Sequence, residues 1–591
     1  MDITSSGERL KSLNRETLRA LSYHESTKHS YNSVRTHAHS LDWENQPDPF
    51  RFYRGAESIK LPRDLTLPSI ETLEILYNYS RFRNTLRSRE PSPGSGVNSL
   101  QAVPLIGNLL WHSMAISAWK QIRGTDIRYS LRVNPSSGNL HPTETHLITN
   151  GFSDLADGVY HYFVLDHALE CRRIGNLSLG LATLIQKPWI AECPVIAVLT
   201  SIFWREAWKY RSRAYRYCNH DLGHAAASFL VAARALGLNG CVLGDFPDEP
   251  LAKLMGVDQT DEWPMLILPL WPQQGDGKNK GLNGAATLAT TELENPRLKA
   301  DVDVCPTSQP FSPLMGTPNA LSDEVVPYPL IDAVHESTLL MDVDKFPLHA
   351  SAMESEGIDE PMEHPRIDLP RIAAPSEVIG VVMRRRRSAL NYDPQKGDIT
   401  FEQFSALMLA AQAGFCADWK GNLPWTTDVH REAAAAGRDW IRLYLYVHRV
   451  RDLEAGLYLY HPRPHALEQF AKANLQRAAA YLSLEQSLAG NSCVTFSMVA
   501  DLDAALKAFG NRGYRYCHNE AGFIGHQLYL AAEALGFNAT GIGAFYDEDV
   551  HNFLQIRPGH GQVIYHFSVG HAVLDDRLVG DDVVQIAQDQ G

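Results

Sequence analysis

The stretch RAYRYCNHDLGHAAASFLVAARALGLNG at Arg213–Gly240 returns, in register and without a gap, as RGYRYCHNEAGFIGHQLYLAAEALGFNA at Arg512–Ala539. A shared register of this length covers a helix, its cap and the strand that follows, so the chain carries an internal duplication. The likeness extends outward. HEST at His24–Thr27 returns at His335–Thr338, and IKLP at Ile59–Pro62 returns as IDLP at Ile367–Pro370. GVYHYFVLDHAL at Gly158–Leu169 returns as GLYLYHPRPHAL at Gly456–Leu467. Repeat one is therefore placed at 15–272 and repeat two at 328–575. Residues 273–327 between them are rich in Gly, Asn and charge and lack an apolar period, which reads as a surface linker.

Within repeat one, Leu222, Ala225, Ala226, Phe229, Leu230, Ala233 and Leu236 form one helical stripe over 221–236. Three consecutive alanines, Ala225–Ala227, leave room for another helix to approach. The apolar runs Cys193–Thr200 and Ile441–Val450 read as strands. Each repeat is thus an α+β unit with a sheet and a long central helix, and two such apolar helices predict that the repeats pack through them. At 44% apolar and 21% charged residues the chain is globular. A net charge of −14 argues against nucleic acid as the main partner, since phosphate binding needs clustered positive charge. No apolar run approaches the roughly 20 residues of a membrane span, and the polar amino terminus lacks a signal-peptide core. The eight cysteines form no CxxC pair, so a reducing cytoplasm is expected. His37 and His39 have no third ligand at metal spacing, so no metal site is expected.

The two copies have lost motifs in complementary ways. Repeat one keeps NPSSGNLHP (Asn134–Pro142) where repeat two has EAAAAGRDW (Glu432–Trp440), with Ala434 and Ala435 opposite Ser136 and Ser137. Repeat two keeps the run Arg384–Ser388 and GIGAF (Gly541–Phe545), where repeat one has no arginine run and VLGDF (Val242–Phe246). Guanidinium forks and a hydroxyl suit a phosphate monoester, although an arginine run alone reads first as a solvated charged turn. Pro135 fixes φ, Gly138 permits close approach, and Ser136, Ser137 and Asn139 offer donors and acceptors, although the loop alone also reads as an ordinary turn. If each copy supplies half of one site, the chain is a covalent pseudo-dimer with a single working pocket.

Together, RRRS followed by NYDP, the NPSSGNLHP loop, the YRY helix and GIGAF resemble the nitroreductase-like flavoenzymes, and more closely their SagB/ThcOx-type dehydrogenase branch, which includes azoline oxidases. The resemblance covers nearly the whole chain apart from the linker and the extreme ends. It implies two nitroreductase-like α/β units forming an intramolecular pseudo-dimer with FMN across the interface. Arg386, Arg387 and Ser388 would hold the phosphate end, Gly541 and Gly543 would lie against the isoalloxazine, and Pro135, Ser136, Ser137 and Asn139 would close from the other repeat. Azoline oxidases carry a Leu-Lys-Tyr signature just before the arginine-tyrosine helix. Here Lys209 and Tyr210 stand in WKYRSRAYRY, Trp208 replaces the leucine, and the second repeat has Ala508 and Phe509. The resemblance gives the Lys209–Tyr210 pair a catalytic role, as general base if its pKa is lowered by burial or a cationic neighbour; without it, the pair reads as a surface feature. Leu390 stands where the family has a basic residue.

The implied activity is oxidation of a thiazoline, oxazoline or related C–N unit in a peptide-derived product, with O2 returning the flavin to its oxidised form. An NAD(P)H-dependent reductase of nitro, quinone or enone compounds is the second implied activity. A non-catalytic flavin-binding scaffold of a heterocycle-forming complex is the third. The implied partners are a small-molecule or peptide-derived substrate, with a cyclodehydratase or a peptide synthetase as the neighbouring enzyme.

Overall fold

The computed structural model describes residues 18–36, 40–63, 65–77, 101–273, 312–341, 362–371, 374–421, 423, 438–557 and 559–579. Among these, two seven-stranded antiparallel sheets share one strand order. The first runs Ser58–Lys60, Ala168–Ile174, Gly158–Phe163, Thr143–Thr149, Val195–Ser201, Trp263–Pro272, Leu238–Gly240. The second runs Arg366–Asp368, Ala466–Lys472, Gly456–His461, Ile441–Val447, Val494–Ala500, Gln562–Gly570, Asn538–Ile542. Val195–Ser201 and Val494–Ala500 are buried along their whole length, which fits their continuous apolar sequence and central positions.

Five helices frame the site: α1 (Phe203–Tyr210), α2 (Ala214–Ala235), α3 (Ile379–Arg385), α4 (Leu502–Phe509) and α5 (Arg512–Ala534). The two long helices, α2 and α5, pack on each other, as the apolar stripes predict. The alanine triplet is not the closest point. A Cβ on Gly223 would collide with the Asn519 carbonyl oxygen, and one on Gly522 with that of His220, so the backbones touch at two glycines in equivalent positions. Helix α2 also begins seven residues before the stripe that announces it. Its first two turns hold Tyr215, Arg216, Tyr217 and Cys218, all buried. Apolar period is silent there because the opposite repeat buries those turns through polar pairing.

That pairing is reciprocal. Arg213, just before α2, and Arg216 of α2 bind Asp547 of repeat two at 3.1 and 3.0 Å, while Arg512 and Arg515 of α5 bind Asp248 of repeat one at 2.6 and 3.1 Å. The HEST segments complete both clamps. Arg216 donates to the Thr27 hydroxyl and the His24 carbonyl, and Arg515 to the Thr338 hydroxyl. The two arginines hold the Asp547 carboxyl below its ordinary range although burial opposes them.

In repeat one Ile116–Gln121 forms a hairpin with Arg128–Arg132 and pairs on its other side with Leu578–Val579, near the end of the described chain. The hairpin leads directly into Asn134–Pro142.

Candidate functional site

Helix α3 ends in the arginine run, and the four guanidinium groups diverge. Arg384 donates to the Trp111 and Ile116 carbonyls, and Arg385 pairs with Glu533 at 2.6 Å. Arg387 donates to the Arg384, Arg386 and Ser117 carbonyls. Arg386 is buried, lies 4.9 Å over the Tyr529 ring, and donates from Nε and Nη2 to the Val133 and Arg132 carbonyls of the hairpin. Its buried Nη1 has no hydrogen-bond partner among the described residues. Ser388 is exposed and shares a 2.9 Å hydrogen bond with the Tyr529 hydroxyl, which also accepts from the Gly541 N–H at 2.9 Å.

The hairpin carbonyls that receive Arg386 immediately precede the Pro135–Asn139 loop. Pro135 is buried. Both serines turn to Asp221 of α2: Ser136 Oγ donates at 2.6 Å, Ser137 N at 3.0 Å and Ser137 Oγ at 2.9 Å. Asn139 donates to the Ser130 carbonyl and meets His141 at 3.0 Å. The polar atoms expected to face a cofactor are therefore engaged inside the protein. Gly138, at φ +57°, is the exposed crest of the loop, and a Cβ there would stand 2.6 Å from Tyr210 Oη and 3.1 Å from Lys209 Nζ. Lys209 and Tyr210 thus reach the loop from the end of α1.

From this pair the contacts lead to the glycines of repeat two. Tyr210 meets Tyr217 edge-on at 4.6 Å, and Tyr217 lies where a Gly543 side chain would be. Tyr565 fills the equivalent space beside Gly541, stacks on His220 at 4.2 Å and shares a 3.0 Å hydrogen bond with His224. One cluster thus gathers Arg386, Ser388, Gly541 and Gly543 from repeat two with the Pro135–Asn139 loop, Lys209 and Tyr210 from repeat one. Arg387 is turned away, toward Ser117.

The electrostatics follow burial. The Tyr210 hydroxyl is enclosed although part of its ring is open, and burial, then Glu206 and Tyr217, push it well above the ordinary phenol range. That is opposite to the lowering a base requires. Burial pushes Asp221 up to about 7 against the pull of its serine donors. Burial, and next the Arg386 charge, push His224 down to about 3. Tyr529, Tyr565, Asp221 and His224 were not singled out by the sequence. Asp221 is legible only as an acidic residue shared with Glu520 in the repeated helix.

The symmetry-related position is occupied by the chain itself. Val242 pairs with Ala417, and Asp418 accepts from the Gly244 and Asp245 N–H groups at 3.0 Å. Trp419 stacks on Tyr516 at 4.7 Å, and Phe415 on Phe523 at 3.9 Å. Lys420, buried, binds Asp439 at 2.8 Å and Glu520 at 3.3 Å. Ala434 and Ala435, opposite the loop serines, lie outside the described residues, as do His37 and His39.

Fold and site together define a two-repeat α+β protein in which the candidate site residues of both halves meet in a cluster. The sequence model of the Nitroreductase family matches residues 114–270 and 383–571, and the chain belongs to that family, whose class is the FMN-type oxidoreductases. It is 28% identical over 220 residues to the microcin B17-processing protein McbC of Escherichia coli, which is 34% of this chain and 76% of McbC. It is 28% identical over 216 residues to the trifolitoxin-processing protein TfxB of Rhizobium leguminosarum bv. trifolii, 36% of this chain and 56%, little over half, of TfxB. Both relatives agree with the SagB-type resemblance carried by the motifs. A crystal structure from Anabaena variabilis, assigned as a nitroreductase, superposes over 94% of this chain and 99% of its own with a TM-score of 0.66 at 23% identity, which establishes the fold over both repeats. No helix among the described residues is long and apolar enough to cross a membrane.

Proposed function

We propose that this chain is an FMN-dependent oxidase or dehydrogenase that holds one FMN between its repeats and oxidises a thiazoline, oxazoline or related C–N unit of a peptide-derived product. The observation that carries this reading is the contrast between the two symmetry-related positions: one gathers the motifs of both repeats, the other is filled by Phe415–Lys420. The residues fit the cofactor. An unpartnered guanidinium nitrogen on Arg386 beside the exposed Ser388 suits an anionic tail, and the partly exposed backbone at Gly541 and Gly543 suits a flat ring. When bound, FMN supplies a two-electron redox centre.

Oxidation of such a ring removes a hydride and a proton, and the proton is the part handled by side chains. Tyr210, held protonated by its enclosure, serves as a donor that orients the substrate. The proton-accepting role then falls to the Lys209 amine, held beside it at the loop crest. Trp208, in place of the branch's leucine, is buried and donates to the Asp42 carbonyl, so it anchors α1 from behind. McbC and TfxB, as toxin-processing proteins, support a peptide-derived substrate and a cyclodehydratase or peptide synthetase as the neighbouring enzyme.

The stoichiometry test is denaturing release of flavin, with its absorbance set against protein concentration; one flavin per chain is expected and two would overturn the reading. The reaction test is anaerobic mixing with azoline-containing peptides or with NAD(P)H. Flavin reduction by the peptides supports the oxidase. Rapid reduction by NAD(P)H alone identifies a reductase, and reduction by neither identifies a flavin-binding scaffold.

A further inference from the structure

Behind the Pro135–Asn139 loop lies a second carboxyl that the reading above does not use. Glu206, on the turn of α1 before Lys209, is fully buried, and neither of its oxygens has a hydrogen-bond partner at ordinary geometry among the described residues. Burial pushes it well above the ordinary carboxyl range, and the carboxyl that adds to this is Asp221. Asp221 accepts the Ser136 and Ser137 donors with both its oxygens. Two carboxyls enclosed together do not both ionise, because like charges in a medium of low dielectric repel strongly.

The mirror site shows that this arrangement is not demanded by the fold. Asp221 has Glu520 as its counterpart, but Glu520 is met by the Lys420 ammonium at 3.3 Å. The counterpart of Glu206 is Ala505, so Glu206 is lost in the same helix as Lys209 and Tyr210, which become Ala508 and Phe509. Arg205, next to Glu206, ties α1 to the far end of the loop by donating to the His141 carbonyl at 2.8 Å. Any change in how Asp221 grips the serines therefore reaches Gly138, and through it the ends of Lys209 and Tyr210.

We propose that Glu206 and Asp221 share one proton, and that this pair is the positioning device that sets the Ser136–Gly138 loop against Lys209 and Tyr210. The proposal rests on the assignment of this side as the working pocket. A protonated Glu206 donates to Asp221, which stays an acceptor for the serines; loss of that proton places two negative charges behind the loop and loosens it. The other titratable or charged groups facing the pair are Lys209, Tyr210, Cys218 and Tyr565.

The test uses the full chain with its flavin and compares the parent with Glu206→Gln, which keeps the shape and one donor, and with Asp221→Asn. A folded carboxyl with a raised pKa binds a proton that the unfolded chain releases, so stability falls as pH rises from the ordinary carboxyl range toward the raised pKa of the pair. Thermal unfolding across that window should show the parent losing stability by about one proton per chain more than Glu206→Gln. The parental loop should also loosen above neutral pH, seen as a rise in KM of an accepted substrate that Glu206→Gln lacks. Equal pH slopes of unfolding in parent and both variants would overturn the shared proton. The unfolding slopes need no turnover, so a chain that oxidises no azoline but shows the slope difference rejects the proposed reaction and keeps the pair. Should Glu206→Gln fail to fold, Asp221→Asn carries the same comparison, with an unchanged slope counting against the proposal.

Discussion

The two ends of the repeat interface began as the same structure and now differ in what fills them. The framework has barely moved: Tyr217 crowds Gly543 as Tyr516 crowds Gly244, and each long helix grips an aspartate of the other repeat with two arginines. The contents have diverged. On one side Asp418 takes the Gly244 and Asp245 N–H groups and Trp419 stacks into the space, whereas no carboxylate is bonded to Gly543 or Ala544 among the described residues. A buried lysine balances Glu520 in the mirror site, and a second carboxyl stands beside Asp221 in the working one. Clamping is therefore separable from what fills the two positions, because the clamps lie at the starts of the long helices while the contents come from other segments.

Four sets of substitutions can break or sharpen that contrast. The largest effect is expected from removing the anion grip. Arg386→Ala combined with Ser388→Ala should cost roughly 3–6 kcal/mol of cofactor affinity, two charge-assisted contacts, and give colourless protein by flavin absorbance. Retention of flavin by that variant would transfer the phosphate role to Arg387, which would have to leave its three carbonyls.

Lys209→Ala should keep flavin and fold but slow single-turnover flavin reduction by about 10²–10⁴-fold. Tyr210→Phe should slow it less, since its partner there is orientation rather than proton removal. Equal loss in both would reverse the roles given to the pair.

Asp248→Ala and Asp547→Ala each leave two buried arginines without a carboxylate, so each should destabilise by about 3–5 kcal/mol in chemical denaturation. The contrast predicts similar losses of stability, with loss of flavin confined to Asp547→Ala, whose partner Arg213 also donates to the Gly543 carbonyl.

Trp419→Phe, the mildest, should cost under about 2 kcal/mol through lost packing volume and leave flavin stoichiometry untouched. A second flavin in this variant would mean that the mirror site is blocked by one ring and is otherwise competent.

Much of this was legible in the sequence because the chain states its fold twice. The register of Arg213–Gly240 with Arg512–Ala539 identified the paired helices, and the uneven survival of the loop and the arginine run is what the proposed working side was read from. What stayed hidden depends on direction rather than composition. Four successive arginines cannot point one way at a helix end, and among the described residues Arg386 has a buried nitrogen without a hydrogen-bond partner. Ser136 and Ser137 read as ligands from their hydroxyls, yet an aspartate 84 residues later takes them. Ala417–Lys420 (ADWK) matches Ser117–Lys120 (SAWK) of repeat one, and nothing in that likeness marked Phe415–Lys420 as the filler of the second site. The first turns of α2 look polar until Asp547 is brought to them from 331 residues away.

The contact between Gly223 and Gly522 has a consequence for how such a chain can change over time. In a protein built from two identical subunits, every substitution is made twice, and altering one pocket alters the other. Here the crossing still demands a glycine from each half, so both copies of that codon stay bound to the same requirement. The loops on either side are each written once. One side was therefore free to become a filled, load-carrying joint, while the other could refine its chemistry without dragging a twin along.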